Sequence, residues 1–364
     1  MQRRKFIAYG ASALIGTAAA GAALWSRRAE AANLNFTLTI DEANVELVDG
    51  STVFMWAFSG GSDLPRVPGP VLRVSAGDTV TVTVRNQASQ AHGFNIPGIA
   101  GAFIASIAAG QNATVTFVPT VAGSYLYLDP LNAPVNRVLG LHGAFVVAPL
   151  DGFTTNGKPL PYGQAQRTTQ LNALFSALGT GNFPGNSWVA SRDKIWVFNQ
   201  IDPRFNAQAA SGQTISPATF VNTFLPRYFT INGLSGFYAS HDEDTAPHGR
   251  IGQPMLLRTM NAGLATHSPH IHGNHIYELT GNTAAGAVVF NNNLLQRDTW
   301  IMGPLDRKDV LLPFKRPPDI PVWPPVQEQF PLVYPMHCHM EMSQTAAGGS
   351  YPQGLVTDWV IDGL

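Results

Sequence analysis

The feature that most constrains the fold of this 364-residue chain is an alternation of side chains with a period of two. In Thr79-Val80-Thr81-Val82-Thr83-Val84 every second residue is valine. On an extended backbone those valines share one face and the threonines the other, the pattern of a half-buried strand. The pattern recurs from Leu34 to Val147. Val71–Val74, Val115–Val118, Ser124–Tyr127 and Ala144–Val147 read as further strands, and Gly77-Asp78 reads as a turn. Short strands at this spacing predict an all-β sandwich over residues 33–150.

A less patterned linker follows over 151–190, with a short helix expected at Gln170–Leu178. Strands resume at Lys194–Phe198, continue at Ala287–Phe290 and end at Val356–Ile361, predicting a second sandwich over 191–364. The 35 glycines and 27 prolines suit many strands joined by tight turns. From Pro313 to Pro335 prolines crowd the chain, and this stretch reads as a stiff surface excursion that cannot pair as a central strand. Net charge is −1, with nothing that points to nucleic acid or to an anionic membrane surface.

Residues 1–32 read as a targeting segment. Arg3-Arg4-Lys5-Phe6-Ile7 resembles a twin-arginine export signal, an apolar stretch runs from Tyr9 to Trp25, and Ala29-Glu30-Ala31 offers a cleavage site. An uncleaved anchor is the competing reading; the stretch is near the short limit for a spanning helix. The expected location is periplasmic or secreted.

Export gives weight to the single cysteine, Cys338, in Tyr334-Pro335-Met336-His337-Cys338-His339-Met340. A lone cysteine is an inert thiol, half of an intermolecular disulfide, or a metal ligand. The flanking histidines favour the ligand. On a strand His337 and His339 face one way and Cys338 the other, so one segment serves two coordination spheres. A second cluster reads His267-Ser268-Pro269-His270-Ile271-His272-Gly273, with His270 and His272 again two apart. His267 lies on a different part of the loop, within reach of the cysteine side. Thiolate with imidazole suits copper or zinc, and paired imidazoles suit copper especially.

These motifs resemble those of the multicopper oxidases. HSPHIHG is similar to the family's H-x-x-H-x-H-G, and HCH to the start of H-C-H-x-x-x-H. Val67–Val74 with Gly77-Asp78 resembles the entry strands of the first domain, and Arg297-Asp298-Thr299-Trp300 a strand between the copper motifs. The resemblance runs from about residue 36 to the end. It implies two cupredoxin-like Greek-key β-sandwich domains, copper as cofactor, and the two-domain branch, whose members are commonly homotrimers with copper between subunits. In those terms Cys338 and His267 belong to a type 1 copper, His270 to a type 2 site, and His272, His337 and His339 to a type 3 pair. The implied function is a copper oxidoreductase that passes electrons from a small-molecule or metal-ion donor through the Cys–His site to a histidine-bound centre, which reduces oxygen or another small acceptor.

Several family positions hold other residues. H-x-H-G is represented by Gln90-Ala91-His92-Gly93, keeping His92 as a candidate metal ligand. Y-H-x-H is represented by Tyr127-Leu128-Asp129-Pro130, so both of its ligands are replaced, by Leu128 and Pro130. The final histidine of the cysteine motif falls at Ser343 and the axial position at Gly348. Met342 reads either as a substitute thioether ligand or as core filler. Asp129, His142 and Glu341 are weaker substitutes. The alternative function is a copper-binding or electron-transfer protein that has lost oxygen reduction. A structural cupredoxin without metal is a third reading. Asp242-Glu243-Asp244 reads as a solvated loop, and neither a phosphate-binding glycine loop nor a Ser/His/Asp nucleophile motif is evident.

Overall fold

The computed structural model describes residues 31–61, 63–150, 160–178, 192–319, 323–324 and 329–364. The export motif, its apolar stretch and much of the linker expected at 151–190 lie outside the described residues. Among the described residues no helix is long and apolar enough to cross a membrane.

The alternating segments form strands. In the first half a four-stranded sheet has the spatial order Thr52–Gly60, Asn33–Glu46, Thr79–Asn86, Asn112–Phe117. A five-stranded sheet has the order Gly69–Ser75, His142–Ala148, Gly123–Leu128, His92–Asn95, Phe103–Ile107. Val80, Val82 and Val84 are fully buried between them with Leu38, Phe58, Phe94 and Phe145. The threonines of that strand stay outside, where Thr81 and Thr83 bond across to Thr116 and Thr114, each at 3.0 Å. The period of two thus separates core from solvent.

In the second half a six-stranded sheet runs Tyr228–Ile231, Asp193–Ile201, Met255–Asn261, Arg307–Leu312, Ile276–Glu278, Gln296–Arg297. A four-stranded sheet runs His248–Arg250, Val356–Gly363, Leu332–Cys338, Pro269–Ile271. Trp196, Trp300 and Trp359 fill the space between, with Cys338 in the same apolar cluster. Thr169–Leu178 forms the one expected helix and buries Leu171 and Phe175.

The proline-rich expectation needs a correction at its end. Leu332–Pro335 is already paired, with Leu332 opposite Ile361 and Pro335 opposite Asp358, in a strand that has neighbours on both sides. Pro335 lacks only the donor; its carbonyl still accepts from the His272 N–H at 3.1 Å.

The two halves meet in an apolar patch of Leu126, Ala144 and Val146 against Ile195, Val197 and Met260. Beside it lies a buried ion network. Arg258 donates to Asp193 at 2.7 Å and to Asp309 at 3.0 Å, and Asp309 also accepts from Ser124 at 2.5 Å and from Tyr162 at 2.8 Å. Ser124 comes from the first half, so the network fixes the second half on the first.

Candidate metal centre

Strand Leu332–Cys338 lies antiparallel to Pro269–Ile271, with Cys338 opposite Pro269 and His337 opposite His270. One short ladder therefore brings both histidine motifs together. The His339 N–H donates to the Ser268 carbonyl at 2.8 Å and extends the pairing past the cysteine. Gly273, at φ +80°, ends the first motif under the ring of Tyr334; an added Cβ would lie 2.8 Å from that ring, so only glycine fits. Tyr334 in turn stacks on Trp359, whose indole N–H holds the His272 carbonyl at 2.9 Å.

On one face four imidazoles converge. Ligand atoms of His270, His272 and His337 all lie within 4.8 Å of one another. The Nε2 atoms of His272 and His337 are 3.1 Å apart. The His339 ring sits 4.4 Å from that of His270 and stacks on that of His337 at 5.2 Å. Thr299 sets the orientation of His270. Its hydroxyl donates to the Asp298 carboxylate at 3.1 Å, so its oxygen accepts the His270 Nδ1–H at 2.9 Å. The Asp298 carbonyl accepts from the same nitrogen at 3.1 Å. Nδ1 thus carries the proton and Nε2 keeps its lone pair, the arrangement by which a second partner orients a metal-ligating histidine. Burial, with the crowding of neighbouring rings, holds both His270 and His337 below the ordinary imidazole range. Neutral imidazoles with convergent lone pairs fit a borderline or soft metal such as copper.

Cys338 faces the other way. It is fully buried and free of any disulfide. Its sulfur lies 3.6 Å from Nδ1 of His267 and accepts the Ser268 N–H at 3.3 Å. The other family positions bring no imidazole or sulfur ligand: Ser343 Oγ donates to the Met340 carbonyl at 2.7 Å, and Gly348 packs on the Arg227 guanidinium. Met342 is 55% exposed on a 3-10 turn, which corrects its reading as core filler.

In the first half His92 is buried. It donates Nδ1–H to Asp129 at 2.7 Å, while its Nε2 has no partner. Asp129 also accepts from Gly93 N, Leu131 N and Asn136 Nδ2, each at 2.8 Å. With four donors Asp129 orients its neighbours and is not itself a free ligand. His142 is buried and donates Nδ1–H to the Arg137 carbonyl at 2.8 Å. Among the described residues His92 is not part of the close imidazole group. Gln200 and Thr299 act at the two sites without having been singled out as site residues. Thr299 carried a signal, lying in the Arg297–Trp300 segment that resembles a family strand between the motifs, although it follows the strand Gln296–Arg297 and makes only an isolated bridge to His270; Gln200 carried none.

Residues 40–151 match the family model described as multicopper oxidase. The match covers most of the first sandwich. A copper-containing nitrite reductase of Alcaligenes xylosoxydans xylosoxydans is 25% identical over 297 residues, 78% of this chain and 79% of the relative. The blue copper oxidase of Nitrosomonas europaea superposes with a TM-score of 0.64 at 21% identity, over 91% of this chain and 86% of that one. A copper nitrite reductase from Nitrosomonas europaea superposes with a TM-score of 0.56 at 17% identity, over 91% and 94% of the two chains. The matched domain is followed by a second sandwich, and the whole has the two-domain cupredoxin fold.

Proposed function

We propose that this chain is an exported copper-dependent oxidoreductase whose working centre is the face built from His270, His272, His337 and His339. The observation that carries the reading is the convergence of three imidazole ligand atoms within 4.8 Å on that face. His270 and His337 would hold the ion from the partly buried side, and the exposed His272 from the solvent side. Copper bound there supplies one-electron redox chemistry. The protein's own part is to keep His270 and His337 neutral, to fix His270 through Thr299, and to leave the His272 side open to a small acceptor. Nitrite and oxygen are the acceptors in scope, because the relatives are copper-containing nitrite reductases and copper oxidases. The donor is a small molecule or a metal ion.

The Cys338 side offers two side-chain donors, Cys338 and His267, and no electron step is assigned to it. Twin-arginine export, periplasmic or secreted location and a homotrimer belong to the same proposal. The test is copper content with nitrite or oxygen consumption, using an outer-sphere donor, in the wild type and in His272→Ala and His337→Ala. Copper and turnover that both vanish in the variants support the reading. Bound copper with reversible redox and no turnover favours the second reading, a copper-binding or electron-transfer protein. That reading draws on Gln90, Leu128 and Pro130, which stand where the family carries histidines.

A further inference from the structure

The side chain of Gln200 is fully buried against His267. Its Oε1 accepts two backbone N–H groups, Leu264 at 2.6 Å and Ala265 at 2.9 Å. That fixes which end of the amide is which, since reversal would set the NH2 group against two donors. The NH2 group therefore points at Nε2 of His267 in a short contact. It also lies 3.5 Å from Asn261 Oδ1, whose amide is fixed in turn by donating Nδ2–H to the Ala265 and Met302 carbonyls at 2.8 and 3.0 Å.

A neutral imidazole that accepts at Nε2 carries its proton on Nδ1. Nδ1 is the nitrogen that faces the Cys338 sulfur. A metal ion shared by that sulfur and that nitrogen needs the Nδ1 lone pair, and the ring proton then moves to Nε2, directly against the Gln200 NH2. Two donors would meet in a buried site, a conflict that leaves both N–H groups unpaired when no acceptor or water relieves it. We infer that Gln200 is a positioning residue that holds His267 in its Nδ1–H form, so that Cys338 and His267 are a hydrogen-bonded sulfur–imidazole pair and not a copper ligand pair. The Ser268 N–H completes the arrangement, giving the sulfur two N–H donors. The residues at Ser343 and Gly348 agree with this, since neither supplies a ligand for an ion at the sulfur.

The inference is independent of copper at the His270 face. Copper retained by wild type and lost in His272→Ala reads that face separately, whatever happens at Cys338. The direct test is an imidazole 15N–1H spectrum of histidine-labelled protein, with the His267 signals assigned by their loss in His267→Asn. The expected result is a protonated Nδ1 and an unprotonated Nε2. Gln200→Glu retains acceptors for Leu264 and Ala265 and offers a carboxylate to Nε2–H, so the proton should move to Nε2 in that variant. Copper-loaded wild type should show no intense visible thiolate-to-copper band. A wild-type proton on Nε2, an intense band in loaded wild type, or an unchanged tautomer in folded Gln200→Glu would each overturn the assignment. If Gln200→Glu does not fold, the two wild-type measurements decide alone.

Discussion

The Nε2 atoms of His272 and His337 face each other at 3.1 Å, from two segments 65 residues apart in sequence. Strand pairing between Pro269–Ile271 and Leu332–Cys338 brings them together, with His337 directly opposite His270. The contact places two imidazoles where one ion can bind both, and Thr299 turns His270 toward the same point.

Thr299→Val should weaken copper binding at this face about 10-fold, at the low end for loss of a histidine's orienting partner. The Asp298 carbonyl still accepts from Nδ1, so binding should persist. Titration against a competing chelator reads the change, and unaltered thermal unfolding of the metal-free variant separates it from damage to the fold.

Copper affinity should stay flat on acidification further than ordinary histidines would allow. Burial holds His270 and His337 below the imidazole reference of about 6.5, so protons compete for their lone pairs only below that value. Affinity measured from pH 8 to pH 5 should hold through about 6.5 and fall beneath it. A decline that is already steep above pH 7 would contradict the burial argument.

Acid should destabilise the metal-free protein through His142 and His267. Burial pushes each down to about 4. Between that value and about 6.5 the unfolded chain binds protons that the folded chain does not, so stability is present above about 6.5 and lost as pH falls toward 4. The loss is on the order of 2–3 kcal/mol for each group. Denaturant midpoints at pH 7 and pH 4.5 measure it. His142→Gln, which keeps a donor for the Arg137 carbonyl, should show a smaller drop between the two.

Asp309→Ala should be among the costliest single changes. It removes the carboxylate that joins Arg258, Ser124 and Tyr162, leaving a fully buried guanidinium with Asp193 as its remaining acidic partner. Breaking a buried pair this way costs about 3–5 kcal/mol. Chemical denaturation of the metal-free protein would register it. A loss under 1 kcal/mol would show that the network is not what fixes one half on the other.

The sequence alone determined the strands and the split of the cysteine segment. Both follow from side chains alternating across an extended backbone, a local rule that needs no knowledge of neighbours: Val80, Val82 and Val84 go inside, and Cys338 turns away from His337 and His339. The histidine motifs were visible for the same reason, as spacing within a few residues. Only the tertiary structure decided what each group does. Asp129 became a hub for four donors, Met342 came to lie at the surface, Pro335 entered a paired strand, and Gln200 met His267 from 67 residues away. These outcomes depend on which donor faces which acceptor across separate segments, and hydrogen-bond direction between distant segments is set by packing and not by any pattern along the chain.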